Sequence, residues 1–326
     1  MEMNRRVSII LYHYVRDLKN SRYPGIKGLD TEHFKDQIAY IKNHYTIITM
    51  EQLIDSIDNK TPLPDKSALL TFDDAYIDHF TQVFPVLVKN NIQGSFYPPA
   101  KAIEEHIVLD VNKIHHILAS GAGNDKIINE IFNLLDQYRE EFKLESNKYL
   151  YKKFAIPDRF DTADTIFIKR LLQRGLGEKL RKIITNILFE RFIGISESAF
   201  AHELYMSIDQ IKIMRQFGMH IGSHGFDHNW LSDLQKEKQE TEIDKSLEFL
   251  KLIGANLDNW TMSYPYGSYN ADTIHIINKK GCKLALTTNV DIASINPHRR
   301  FELPRLDTND IPTMANASTN SWYDQA

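Results

Sequence analysis

Cysteine is nearly absent from this 326-residue chain, which has only Cys282. An intramolecular disulfide and a thiolate metal cluster are therefore excluded, and any bound metal must rest on His, Asp or Glu. Long apolar runs are also missing, and no stretch approaches the ~20 residues needed to span a bilayer. The first residues, MEMNRRVSIILYHYV, hold one short apolar run, broken by Tyr12, His13 and Tyr14 and lacking a small-residue cleavage site. It reads as a strand rather than a secretory signal. The expectation is a cytoplasmic protein without a membrane span. Positive charge is not in excess either: the formal net charge is −4, which argues against nucleic acid or an anionic membrane surface as the main partner. Internal repeats and low-complexity tracts are absent.

What is present is a strand–helix rhythm. The runs VSIILY (7–12), SALLTF (67–72), GSFYP (94–98), MHIGS (219–223), WTMSYP (260–265) and KLALTT (283–288) read as buried strands. Between them, 31–45, 77–90, 236–253 and 270–280 return apolar residues every three or four positions, as amphipathic helices do. Such alternation predicts an α/β fold with a mainly parallel sheet, either a barrel or a doubly wound sheet, with chemistry at the C-terminal ends of the strands. From about 101 to 204 the rhythm changes. No strand pattern occurs there, while Ile127, Ile131, Leu134 and Leu135 share one helical face and Leu180, Ile183, Ile184, Ile187 and Leu188 another. A hundred residues is too long for a loop, so 101–204 is expected to be a large α-helical insertion in a discontinuous domain formed by 1–100 and 205–311. The polar residues 312–326 are expected to form a flexible tail.

Three segments at predicted strand ends carry candidate chemistry. The first is Thr71-Phe72-Asp73-Asp74, where two adjacent carboxylates behind a buried run need something positive to neutralise them. The plainer reading is a helix cap with a first-turn acid. Neighbouring strand residues point to opposite faces, so both acids reach one site only if the chain turns at Asp73. The second is Ser223-His224-Gly225-Phe226-Asp227-His228, where two histidines four apart in a loop can converge on one cation. Two imidazoles and a carboxylate are a facial set for catalytic zinc or a similar ion, with positions left open for water and substrate. The third, Tyr264-Pro265-Tyr266-Gly267, is a turn that can aim a backbone N–H at a developing oxyanion.

In type, order and placement the three motifs together resemble the polysaccharide deacetylase (NodB-like) family. The resemblance covers roughly 1–100 and 205–310 and leaves out the helical segment. It implies a distorted, incomplete (β/α) barrel. It also implies a divalent metal on Asp74, His224 and His228 (zinc first, with cobalt or nickel as alternatives), Asp73 as catalytic base, and the backbone N–H of Tyr266 in the oxyanion hole. The chain departs from the common family pattern in two places. The arginine expected before the proline of the third motif is replaced by Ser263 and Tyr264, and the late leucine–X–histidine motif is missing. Leu11-Tyr12-His13-Tyr14 instead ends the first strand, as in a branch of the family whose Tyr-His pair near the N-terminus supplies the general acid, and His13 takes that role by resemblance. Arg305 in FELPRLD is the expected substitute that orients Asp73, with Arg299 and Arg300 as rivals. The implied activity is removal of an N-acetyl group from an amino sugar or glycan precursor used in cell-surface glycan synthesis. The alternatives are hydrolysis of a small N-acyl or N-formyl amine, and a catalytically silent carbohydrate-binding protein. Tyr12, Tyr14, Phe72, Tyr97, Trp230 and Tyr264 are candidates for an apolar wall, though aromatics at such positions are more often core.

Overall fold

Buried apolar runs with no polar face need cover on both sides, and parallel strands under helices provide it. The computed structural model describes residues 6–158 and 161–326; the first five residues of the expected barrel, and 159–160 in the helical segment, lie outside that description. Each of the six runs contains a strand: β1 (Arg6–Tyr12), β2 (Ser67–Asp73), β3 (Ser95–Tyr97), β4 (His220–Ile221), β5 (Met262–Ser263) and β6 (Ala285–Leu286). A seventh, β7 (Leu306–Asp307), follows near the C-terminus. The pairings are parallel and run around a ring. β1 pairs β2, with Tyr12 opposite Phe72; β2 pairs β3, and β3 pairs β4. A bridge from Ser223 to Met262 reaches β5, which pairs β6. A bridge from Leu286 to Leu303 then leads to β7, which pairs β1. The result is a distorted (β/α) barrel whose ring counts seven strands among the described residues, against the usual eight, and is reduced to two-residue strands over its second half.

Period-two alternation decides what each strand delivers. Val7, Ile9 and Leu69 pack with Tyr97, Leu284, Leu286 and Leu303 in the core. Thr71 and Asp73 continue the Leu69 series towards the strand's C-terminal end. On the opposite face, Tyr12, Phe72 and Phe96 stack across β1, β2 and β3 with centroids 4.9 and 4.7 Å apart, each pair worth about 0.5–1.5 kcal/mol beyond area burial. Tyr12, Tyr14, Phe72, Tyr97 and Tyr264 are all buried, so they build the core rather than line a cleft. The outer helices begin on local caps. Asp30 caps Thr31–His44, and Thr49 with Gln52 forms a capping box before Met50–Asn59, as does Ser207 with Gln210 before Ile208–Gln216.

The chain divides into two compact units, one of Met1–Asp17, Gly28–Ile107 and Ala201–Ala326, the other of Leu18–Lys27 and Val108–Phe200. The first holds the barrel. Among its described residues the second is helical, with long helices Asn124–Phe142 and Glu178–Ile193. Ile127, Ile131, Leu134 and Leu135 are buried in it, as are Leu180, Ile184 and Leu188. The boundaries differ from the expected 101–204 for physical reasons. Helix Ala100–Glu104 belongs with the barrel because Ala100 and Lys101 donate backbone N–H groups to Gly225 and Phe226, and the Lys101 ammonium pairs with Asp227 at 2.6 Å. Residues 18–27 join the helices through Lys27, paired with Asp161 at 2.5 Å, and Tyr23, edge-on to His116 and Phe200. In the expected tail, Ser321–Gln325 is a short helix capped by Asn320, and Lys66 donates to the carbonyls of Tyr323 and Ala326 at 2.7 and 3.2 Å.

Gly222 marks where β4 presses hardest on its neighbours. A Cβ there would meet Tyr97 Cε1 at 2.5 Å, Thr261 Oγ1 at 2.7 Å and the Thr261 carbonyl at 2.8 Å. Gly222→Ala is expected to cost about 1–3 kcal/mol, as overpacking does, and to lower the urea midpoint without changing the slope. An unchanged midpoint would refute the close packing described here.

Candidate metal centre and catalytic site

The site begins where β2 ends. Asp73 is the last strand residue, and the chain then takes two consecutive left-handed steps, at Asp74 (φ 76) and Ala75 (φ 53). Each costs a non-glycine residue roughly 1–2 kcal/mol. The Asp74 N–H donates to the Tyr97 carbonyl at 3.1 Å and Met206 N–H to the Ala75 carbonyl at 2.9 Å, which holds the turn. The turn expected at Asp73 thus falls one residue later, and it gives the two carboxylates different partners.

Asp74 faces His224 and His228. All three are buried, and their ligand atoms lie within 4.8 Å of one another, the one group of this kind among the described residues. His224 Nε2 and His228 Nε2 stand 3.5 and 3.4 Å from Asp74 Oδ1. That oxygen has no hydrogen-bond partner although it is buried, while Oδ2 accepts from the Tyr76 hydroxyl at 2.6 Å. His224 Nδ1 donates to the Ser263 carbonyl at 2.7 Å, which leaves the Nε2 lone pair pointing into the cluster. The two carboxylate–imidazole separations, 3.5 and 3.4 Å, match the edges of a tetrahedron with metal–ligand bonds of ~2.1 Å. An unpartnered buried carboxylate oxygen met by two imidazole nitrogens fits a divalent cation, and zinc suits the N,N,O donor set. Burial works against ionisation of Asp74, but the two imidazoles outweigh it and hold its carboxyl well below the usual range. At His228 burial prevails and lowers the pKa, whereas at His224 the carboxylates of Asp73 and Asp74 overcome burial and raise it. The loop is shaped by Gly225 (φ 72) and His228 (φ 49) and tied down by Asp227 N–H, which donates to Glu242 Oε2 at 2.9 Å.

Asp73 meets Arg305. The guanidinium donates twice, Nη1 to Oδ1 at 3.1 Å and Nη2 to Oδ2 at 2.8 Å, and the Ser263 hydroxyl donates to Oδ2 at 2.9 Å. Arg305 is buried and spends its remaining donors on the Thr287 carbonyl, Thr71 Oγ1 and Ser263 Oγ. Burial pushes the Asp73 carboxyl up, but Arg305 and then His224 more than offset this, so it lies below the ordinary carboxylate range. Neither rival arginine fills this place: Arg299 is exposed and Arg300 pairs with Asp58. His13 lies just past β1 and is exposed, and its charge acts on Asp73. Tyr266 takes a left-handed conformation (φ 57) inside the turn Pro265–Gly267. Its ring stands edge-on to His228 at 4.6 Å and stacks on Trp230 at 4.2 Å, so Trp230 is the one proposed wall aromatic beside the site. Sequence reasoning missed two residues. Ser263 serves base and triad at once, through hydroxyl and carbonyl, and Tyr76 holds Asp74. The only available signal was that Ser263 occupies the region where the arginine was expected.

Comparison with known proteins bears on the family and the fold. The family model described as "Polysaccharide deacetylase" matches residues 60–139 and 192–285, just over half of the chain. The poly-beta-1,6-N-acetyl-D-glucosamine N-deacetylase of Escherichia coli K12 is 32% identical over 80 residues, 24% of this chain and 12% of that one. YxkH of Bacillus subtilis is 31% identical over 93 residues, 28% of this chain and 33% of that one. The match thus spans a third or less of these curated relatives. Among solved structures, the Streptococcus pyogenes deacetylase PplD in complex with acetate has a TM-score of 0.56 at 18% identity, covering 96% of this chain and 94% of that one. IcaB from Ammonifex degensii has a TM-score of 0.55 at 18% identity, covering 99% and 96%. At that identity the likeness concerns the fold.

The Asp73–Arg305 pair has a pH signature. The folded pKa of Asp73 lies below its unfolded value of ~3.9, so the pair's contribution is complete above that pH and is lost as pH falls through the folded value. Arg305→Met should cost about 3–5 kcal/mol at pH 7, because a buried charge loses its partner. The gap from wild type in urea unfolding should narrow below about pH 4. A gap that stays constant down to pH 3 would mean that Arg305 stabilises by packing alone.

Proposed function

Because the chain belongs to the polysaccharide deacetylase family, we propose that it is a metal-dependent hydrolase that removes the N-acetyl group from an amino sugar. The observation that carries this reading is the buried Asp74–His224–His228 triad with a second, charge-clamped carboxylate, Asp73, at the preceding position. A pure binding protein has no use for a base beside a metal. A divalent ion on the triad, zinc first and cobalt or nickel as alternatives, would polarise the acetyl carbonyl and acidify a water near neutral pH. Asp73, kept ionised by Arg305, takes the proton of the attacking water. The backbone N–H of Tyr266 donates to the oxygen on which charge develops, typically the largest single contribution to such a reaction. His13 supplies a proton to the sugar nitrogen as the C–N bond breaks, since an unprotonated amine leaves poorly. Acetate and a free amino sugar are the products.

In this reading the substrate is an N-acetylated glycan precursor met in the cytoplasm. The name of the E. coli relative favours a second possibility, a β-1,6-linked N-acetylglucosamine polymer. Hydrolysis of a small N-acyl or N-formyl amine uses the same residues and differs only in the loops that select the substrate.

His224→Ala and His228→Ala should each abolish tight metal binding and acetate release while the fold survives. Asp73→Asn should keep the metal and lower acetate release by roughly 100-fold or more. If Asp73→Asn loses the metal and Asp74→Asn keeps it, the two roles are exchanged. Acetate release from N-acetylated nucleotide sugars, β-1,6 N-acetylglucosamine oligomers and small N-acyl amines separates the substrate classes. Release from none of these, alongside oligomer binding by the metal-loaded protein, would overturn the enzyme reading.

A further inference from the structure

Three side chains of the turn that follows Asp74 close on the segment that carries His13. Tyr76 stacks on Tyr14 with centroids 3.9 Å apart and planes 17° from parallel. The Asp78 carboxylate accepts from Arg16 Nε at 2.7 Å, with Nη2 at 2.5 Å, and the Arg16 guanidinium lies 4.8 Å over the Tyr14 ring. His79 Nε2 is 2.8 Å from the His13 carbonyl, which can only accept, so the ring proton sits on Nε2. The same turn reaches the metal side as well, through the Tyr76 hydroxyl on Asp74 Oδ2.

His79 is an expensive residue to place here. It is fully buried among Phe72, Tyr76 and Phe96, with ring centroids 5.6–5.7 Å away, and its Nδ1 has no partner. An unsatisfied buried nitrogen of this kind costs about 1–3 kcal/mol, and an apolar ring would fill the aromatic box without that cost. Burial pushes the imidazole down to about 4, so it is neutral and has a single N–H to give. The backbone bends to suit, since a π-helical turn, His79–Val83, begins at this residue, and such turns recur at functional sites. Among the described residues the one hydrogen bond its ring makes is to the residue whose side chain acts on Asp73.

We propose that the turn Tyr76–His79 positions the proton donor, with His79 as the positioning residue that holds the His13 backbone so that its imidazole stands across the substrate from Asp73. The inference rests on the reading of His13 as proton donor and extends it: one turn sets both the metal ligand Asp74 and the acid, and so fixes their separation. Displacing a reacting group by about 1 Å can cost as much as 100-fold in rate.

The test compares His79→Phe, which keeps the ring and removes the donor, with His79→Gln, which keeps a donor. His79→Phe should retain wild-type metal content and melt cooperatively. Its kcat for an N-acetyl amide should fall about 10- to 100-fold with little change in KM, and turnover of 4-nitrophenyl acetate, whose leaving group needs no proton, should fall far less. His79→Gln should recover most of the amide rate. Added to His13→Ala, His79→Phe should cause no further loss. If Phe prevents folding, His79→Met is judged by the same measurements. Wild-type amide turnover in the donor-less variant, equal losses on amide and ester, or a full additional loss on top of His13→Ala would each overturn the proposal. Unchanged amide turnover in His13→Ala alone would overturn the parent reading too, which keeps the two failures distinct.

Discussion

Asp73 and Asp74 are adjacent and both buried, and each requires its own neutralising partner. The left-handed step at Asp74 makes this possible by keeping at one strand end two carboxylates that a straight strand would send to opposite faces, while giving each its own neighbours. Asp73 then draws Arg305 from the end of the barrel, and Asp74 faces two histidines from the loop behind β4. Arg305 immediately precedes β7, which pairs β1, and β1 also pairs β2, so the bond that keeps the base ionised also ties the last strand to the end of β2 across β1. Ser263, the last residue of β5, touches both systems. Charge neutralisation and closure of the strand ring are therefore one arrangement, and the two-residue strands of the second half need no long ladders of their own to hold their places.

Backbone strain recurs where the chemistry is proposed. Each of the three motif loops contains a non-glycine residue in the left-handed region: Asp74 and Ala75 in the first, His228 in the second and Tyr266 in the third. Glycine would relieve the strain, but at Asp74 and His228 the side chain is the ligand. Such strain persists only where the surroundings over-determine it, and here they do. Asp74 is held by Tyr97 and Tyr76, and the His228 loop by Glu242 and Gly225.

Much of this was legible beforehand because it is local. The six apolar runs became strands, the three motifs fell at strand ends, and the helical periodicities of 127–135 and 180–188 marked buried faces, since period and burial are written in consecutive residues. What escaped notice depends on partners distant in sequence. Nothing near Tyr23 or Lys27 says that 18–27 packs with helices more than ninety residues on, and nothing near Ala100 says that its N–H will meet Gly225. In the sequence Arg305 differs from its two rivals only as a substitute for a missing arginine; in the structure it alone arrives beside Thr71 and Asp73 with every donor satisfied. Ser263 and His79 carry no pattern, because each acts through a single bond to a carbonyl or carboxylate that topology brings near.

The pairing of Asp73 with Arg305 spans 232 positions of chain. At a synthesis rate of about 5–20 residues per second, Asp73 leaves the ribosome roughly ten to fifty seconds before its counterion. During that interval β1, β2 and β3 can pair and stack their aromatic ladder, but the C-terminal end of β2 cannot desolvate its carboxylate without a partner. The mouth of the barrel therefore stays wet until the final segment arrives. A chain that stops short of Arg305 loses more than a positioning group, because the step that dries and closes the site never takes place.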